Sequence, residues 1–466
     1  MVEKKEEKGK YDSLFLEKKN AWELMKGQEK KAFELGEEYK DFLDNNKSER
    51  EIVTFVEKLV KKKGFVSIDK ATKTNKKIYA INHNKAIALI NLGKSNLSKG
   101  INILGSHIDS LRLDLKLNPF YESEPFAMIN LHYYGGLKKY HWLNVPLSMH
   151  GVIINKKGEK KEIVIGEDEK EPVFVISDLL PHLEGQDYAN KKATDIITGE
   201  AMDALGASIP VDDKKTKEKI KANLLSILNK KYDVVEEDFV SADISLFPAF
   251  RARDVGIDAG MIGAPAHDDR SCSFLGVKAF LNSNSTKACA MLLVDKEEIG
   301  SVGNTAMSSM FFENLIDTIA KLNGEKVSAK EILQNSKAIS ADVTSGLDPK
   351  YADKMDPHNL NKLGYGVAME KGTGHGGKYS GSEAHAEYMS QMRTMLDKAK
   401  IPWQYGEIGK VDQGGGGTIA YLLAKYNMDI IDAGPPVLAM HSPFEIVSKI
   451  DLLSTLLAYT AFFESK

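Results

Sequence analysis

Near the start of the chain apolar residues recur at helical spacing; further on they gather into short continuous runs. Ile52, Phe55, Val56, Leu59 and Val60 fall on one helical face, and Ser48-Glu49-Arg50-Glu51 opens that helix as a capping box. Lys61, Lys62 and Lys63 suit the negative end of its dipole and Gly64 its termination, so the lysines read as a solvated helix end rather than a binding patch. The first ~65 residues are therefore predicted to be helical. Past Phe65 the runs at 86–90 and 101–105 predict strands, and the second leads into His107. Further strands are predicted at 151–154, 162–165 and 172–176, with a charged helix over 214–231. The C-terminal part alternates between a helix over 272–280 and strands over 290–294 and 338–342. Gly414-Gly415-Gly416-Gly417 predicts a tight loop before a helix that begins near Thr418. Ser442-Pro443-Phe444-Glu445 has the form of a second capping box with Pro in the first helical position. Ile446, Ile450, Leu453 and Leu457 continue at helical spacing, which places His441 immediately before a helix.

This alternation predicts an α/β fold. At 466 residues the chain exceeds one ordinary core and suggests two or three domains. The stretch 112–241 differs in character from its flanks and carries none of the charged clusters described below. It reads as an insertion into a discontinuous catalytic domain made of 1–111 and 242–466.

Hydrophobic content of 42% and charged content of 28% describe a globular protein in water, and a formal net charge of −3 gives no basic field for nucleic acid. Cys272 and Cys289 lack metal-ligand spacing, and so few cysteines fit a reducing compartment. Neither a signal-peptide-length apolar stretch at the N-terminus nor a run of about 18 apolar residues is present, so a cytoplasmic protein without a membrane span is expected.

Chemistry concentrates in Lys296-Glu297-Glu298, just past the run 290–294. Residues beyond the end of a buried strand lie where α/β sheets place their ligands. Ser106-His107-Ile108-Asp109, His267-Asp268-Asp269-Arg270, Asp342 and Met440-His441-Ser442 all sit at predicted strand ends or helix starts. Each alone is ordinary surface or capping chemistry. Together they supply a dinuclear hydrolytic site, with Asp268 as the bridging carboxylate and His107, Glu298, Asp342 and His441 as terminal ligands. Glu297 is then left free as a general base, and Asp109 orients the His107 imidazole. The donor set suits zinc, with cobalt or manganese as alternatives.

With these motifs in place the chain resembles the aspartyl aminopeptidase and aminopeptidase I family of dinuclear zinc exopeptidases. The resemblance runs from the N-terminal helices to the C-terminus. It rests on Gly105-Ser106-His107-Ile108-Asp109-Ser110, Asp268-Asp269-Arg270-Ser271, Asp295-Lys296-Glu297-Glu298-Ile299-Gly300-Ser301, Ser340-Ala341-Asp342 and Leu438-Ala439-Met440-His441-Ser442. It implies an α/β/α catalytic domain with a central mixed sheet flanked by helices, and a β-rich insertion that serves as a dimerisation domain. It also implies that His107 and Asp342 hold one metal, Glu298 and His441 the other, with Asp268 bridging, Glu297 as base and a cis bond between Asp268 and Asp269. Dimers of the family assemble into tetrahedral dodecamers, and His182 matches a histidine that enters the neighbouring subunit's active site. The implied activity is removal of N-terminal residues from peptides with a free amine, through attack by a water between the ions.

For substrate contact the resemblance points to a lysine and a tyrosine within 370–381. Lys371, Lys378 and Tyr379 are the candidates and imply a preference for acidic N-terminal residues. The intervening Gly372-Thr373-Gly374-His375-Gly376-Gly377 is longer and richer in glycine than the family pattern, and leaves His375 as either a substrate contact or a loop residue. A neutral preference, a carboxypeptidase-like amidase, and a catalytically silent assembly or cargo protein are the competing readings.

Overall fold

The computed structural model describes Tyr11, residues 14–123 and residues 125–465. Its centre is a nine-stranded mixed sheet. Across it the strands run Val66–Ser67, Lys77–Asn82, Ala86–Asn91, Cys289–Val294, Asn102–His107, Lys337–Ser340, Asp429–Gly434, Val367–Glu370 and Trp403–Tyr405. The middle four, Cys289–Val294 through Asp429–Gly434, are mutually parallel. Every residue of Asn102–His107 and Cys289–Val294 is buried, as expected for parallel strands covered on both faces.

Alternate side chains feed two cores. Leu104, Met291 and Leu293 pack with the helices Glu29–Asn45, Glu49–Lys62, His267–Asn282 and Lys449–Glu464. Ile103, Ala290 and Leu292 face the helices Phe311–Leu322 and Ala329–Gln334 on the other side. This period of two, read against helices on both faces, is the α/β/α arrangement expected from the sequence. The capping box at Ser48 forms with both of its hydrogen bonds, and Gly64 follows the helix at φ +81°.

A second sheet, of six strands, is ordered Lys160–Ile165, Leu147–Ile154, Ala242–Pro248, Arg112–Ser123, Phe126–Tyr134 and Ala204–Ala207. It has its own core around Phe120, Trp142 and Phe239, closed by the helix Lys219–Tyr232. Ala242–Pro248 pairs with both Leu147–Ile154 and Arg112–Ser123, so this sheet continues seven residues past the boundary expected at 241. The predicted strand at 172–176 makes only isolated bridges, to Leu143, Leu147 and Leu205.

The second predicted capping box is corrected. Glu445–Ser448 is a strand between Met261–Ala264 and Pro436–Leu438, and the helix starts only at Lys449. Its glutamate is recruited by tertiary partners: Glu445 Oε1 accepts from the His441 N–H and Oε2 from the Asp268 N–H. Gly415–Gly416 likewise forms a two-stranded ribbon with Gly374–His375, and the following helix begins at Ala420. A Cβ on Gly415 would come within 2.0 Å of the Gly374 carbonyl oxygen, so the ribbon requires glycine there.

Candidate metal centre

The parallel strands end on one edge of the sheet, and their ends carry the predicted residues. Asn102–His107 ends in His107, Cys289–Val294 leads to Glu297 and Glu298, and Lys337–Ser340 leads to Asp342. Asp268 begins the long helix His267–Asn282 at a bend, with a cis bond to Asp269. His441 follows the strand Pro436–Leu438 at φ +66°, a conformation held by the Glu445 hydrogen bond.

Asp268 presents one oxygen to each imidazole. His107 Nε2 lies 3.0 Å from Oδ1 and His441 Nε2 lies 3.2 Å from Oδ2. Glu298 Oε2 is 3.4 Å from the same His441 nitrogen, while Glu298 Oε1 is buried with no hydrogen-bond partner among the described residues. Donor atoms of His107, Asp268 and Glu298 all fall within 4.8 Å of one another, as do those of His107, Asp269 and Asp342.

Asp109 does more than orient a ring. The His107 Nδ1 is 3.0 Å from the Asp109 backbone carbonyl and 3.3 Å from its Oδ1. The same carboxylate accepts from the Glu297 N–H at 3.1 Å and the Glu298 N–H at 3.2 Å, which fixes the short turn Glu297–Ile299. Tyr134 donates its hydroxyl to Asp109 Oδ2 at 2.9 Å.

Charge is unbalanced here. Burial, then the neighbouring Asp268, holds the Glu298 carboxyl well above its usual range, and burial with Asp269 and Asp268 does the same for Asp342. Burial, reinforced by Asp268 and Asp109, pushes Glu297 up to about 7 against the pull of His107. Burial disfavours a charged His441, yet Asp268 and Glu298 outweigh it and raise the ring to about 10. Excess buried carboxyls, two imidazoles facing one carboxylate and the orphaned Glu298 oxygen together form a donor set that fits divalent zinc. A cavity of about 400 Å³ opens onto it, with Asp268, Glu297, Glu298, Asp342 and His441 in its wall.

The aminopeptidase I zinc metalloprotease (M18) model matches residues 42–463. The chain belongs to the M18 family. It is a zinc aminopeptidase of that family, in agreement with the resemblance read from its motifs. A relative from Clostridium acetobutylicum, named a probable M18 family aminopeptidase 1, is 44% identical over 461 residues, 97% of this chain and 99% of its own. The crystal structure of the Thermotoga maritima M18 aminopeptidase superposes with a TM-score of 0.93 at 43% identity, covering 97% of this chain and all of that one. The S. cerevesiae mApe1 dodecamer, 22% identical, shares the fold at a TM-score of 0.74 over 92% of this chain and 96% of that one.

Not every expected residue of this M18 chain reaches the cavity. Lys371 and Lys378 both pair with Glu383, at 2.7 and 2.9 Å, on the exposed hairpin beside it. Tyr379 is 72% exposed, and His375 lies in the glycine ribbon. None of the four is among the cavity's described lining residues, which instead include Thr344, Glu370, Thr418 and Asp432. His182 sits in the exposed turn Pro181–Leu183, also outside that lining. The sequence reading missed Tyr134 and Gly136, which the second sheet sends back to the centre. The Gly136 carbonyl faces His441 Nδ1 at 3.1 Å. Tyr133-Tyr134-Gly135-Gly136 reads as a strand running into a turn, and only the fold brings it against Asp109.

Proposed function

We propose that this M18 aminopeptidase removes single N-terminal residues from peptides at a centre of two zinc ions. In this reading His107 and Asp342 hold one ion, Glu298 and His441 the other, and Asp268 bridges. Cobalt or manganese are alternatives that the mixed nitrogen and oxygen donors also accept. The observation that carries the reading is Asp268 offering one oxygen to each histidine. When bound, the ions supply Lewis-acid polarisation of the scissile carbonyl and acidify the attacking water.

The chain's own residues do the rest. Glu297, held by Asp109 through its backbone N–H, takes the proton of the attacking water and returns it to the leaving amine. Asp109 keeps the His107 ring oriented, and Tyr134 holds Asp109. An acidic-residue preference would need Lys371 or Lys378 to leave Glu383 and turn into the cavity. Two free, buried cysteines fit action in the reducing cytoplasm.

The test is direct. Zinc-loaded enzyme should hydrolyse peptides with a free N-terminus and leave their N-acetylated counterparts intact, and chelation should stop turnover. Equal hydrolysis of acetylated peptides would point to an amidase, and no turnover of either would point to an assembly protein.

Dimerisation through the second sheet, with His182 reaching the partner's cavity and dimers building a tetrahedral dodecamer, is proposed as well. Support comes from Leu179, Leu180 and Leu183, which flank His182 and stand 42%, 50% and 66% exposed in the single chain. Such a cluster suits a covered surface, and the S. cerevesiae relative is a dodecamer. Mixing inactive His182→Ala and Glu297→Gln chains by dissociation and reassociation should restore activity. In a mixed dimer the His182→Ala site keeps its own Glu297 and receives an intact His182 from the partner. The gain is limited to one site per mixed dimer. Confirmed mixed dimers without any gain would return His182 to an ordinary loop role.

A further inference from the structure

Glu370 and Asp432 line the cavity that holds the metal ligands, and neither has a part in the chemistry above. Their placement follows from strand register. Asp432 pairs with Ser340 on the parallel strand whose end carries Asp342, and Glu370 pairs with Asp432 from the antiparallel strand beyond. Strands lie about 4.8 Å apart, so Glu370 stands roughly 10 Å across the sheet from the strand that delivers Asp342. That span suits the side chain of a residue whose carbonyl sits at the ions.

Both acids are buried, and only hydroxyls serve them. Thr344 donates to Glu370, and Thr418 donates to Asp432 at 2.6 Å. No lysine or arginine forms an ion pair with either among the described residues, since the nearby Lys371 and Lys378 are taken by Glu383. Burial pushes Glu370 up to about 8 and Asp432 up to about 6, which reflects buried acids that lack a counter-charge. The same wall includes apolar surface from Ala368, Met440 and Tyr421, suited to an aliphatic stem. Lysines flank this wall without lining it: Lys378, paired with Glu383, and Lys410 stand with Glu370 in an adjoining pocket of about 110 Å³, and Lys138, Lys350 and Lys354 line a groove of about 770 Å³ that shares Gly136, Met440 and His441 with the cavity.

We propose that Glu370, with Asp432 beside it, receives the side chain of the substrate's first residue and selects a cationic one, lysine or arginine, over an acidic one. This rests on the aminopeptidase reading and names its substrate class. A cationic side chain brings the counter-charge the pocket lacks. An acidic one meets two buried carboxyls and no paired cation, and is rejected. Leucine fits the apolar wall and leaves the acids as they are.

The zinc-loaded native enzyme is assayed on aminoacyl-p-nitroanilides of lysine, arginine, leucine and aspartate. The lysine and arginine substrates should exceed aspartate in kcat/KM by about 100-fold or more. Glu370→Gln should lower the lysine-to-leucine ratio about 10–100-fold, mostly through KM. Taking the ratio within one variant cancels any loss of folded enzyme. Glu370→Lys should move the preference toward aspartate. Native enzyme that cleaves leucine yet handles aspartate as well as lysine overturns this proposal alone, as does a Glu370→Gln variant with an unchanged lysine-to-leucine ratio. Absence of turnover on all four substrates overturns the aminopeptidase reading and this one with it.

Discussion

Replacing Glu297 by glutamine is expected to lower kcat by about 10³–10⁴-fold while zinc content stays at the native level. The amide keeps the shape of the side chain and leaves the backbone N–H on Asp109, so the turn Glu297–Ile299 should hold. What it loses is the ability to accept a proton. Glu297 is suited to that task because it stands in the cavity wall beside Asp268 and Glu298, with its N–H held by Asp109. Elemental analysis beside kcat separates the outcomes. A variant that retains most of its kcat reverses the roles of Glu297 and Glu298, and one that loses zinc makes Glu297 a ligand.

Asp268→Ala should lose both ions together with all measurable activity. Its two oxygens address His107 and His441 separately, so truncation takes a donor from each side of the centre. Asp109→Asn should be milder, about 10–100-fold in metal affinity or activity, because Asp109 acts by holding His107 and the glutamate turn. Equal zinc loss and equal rates in the two variants would erase the distinction between a ligand and the residue that positions ligands. Loss of one ion only from Asp268→Ala would remove the bridge from the assignment.

The parallel strands were legible because their physics is local. A strand buried on both faces must be a short apolar run, and Asn102–His107 and Cys289–Val294 are such runs. The residues just past them, His107, Glu297 and Glu298, could be named for the same reason. The helix at Ser48 was equally readable, since the capping box closes within four residues.

The failures all concern groups whose partners lie far away in sequence. Ser442-Pro443-Phe444-Glu445 has the letters of a capping box, but Glu445 serves the N–H groups of Asp268 and His441, so the segment is a strand. The second sheet continues through Pro248 because Ala242–Pro248 finds two partner strands from the insertion. Lys371 and Lys378, offered by the resemblance as substrate contacts, both pair with Glu383, a partner the sequence did not point to. Sequence alone thus determined the α/β class, the strand ends and the residue types gathered there, because periodicity and capping depend on neighbours a few positions apart. Tertiary structure decided that Asp109 and Tyr134 brace the glutamate turn and that Glu370 and Asp432 face the cavity with no ion-pair partner among the described residues. Those facts depend on which distant groups share a low-dielectric space, where the strength of each charge is set by what else is buried beside it.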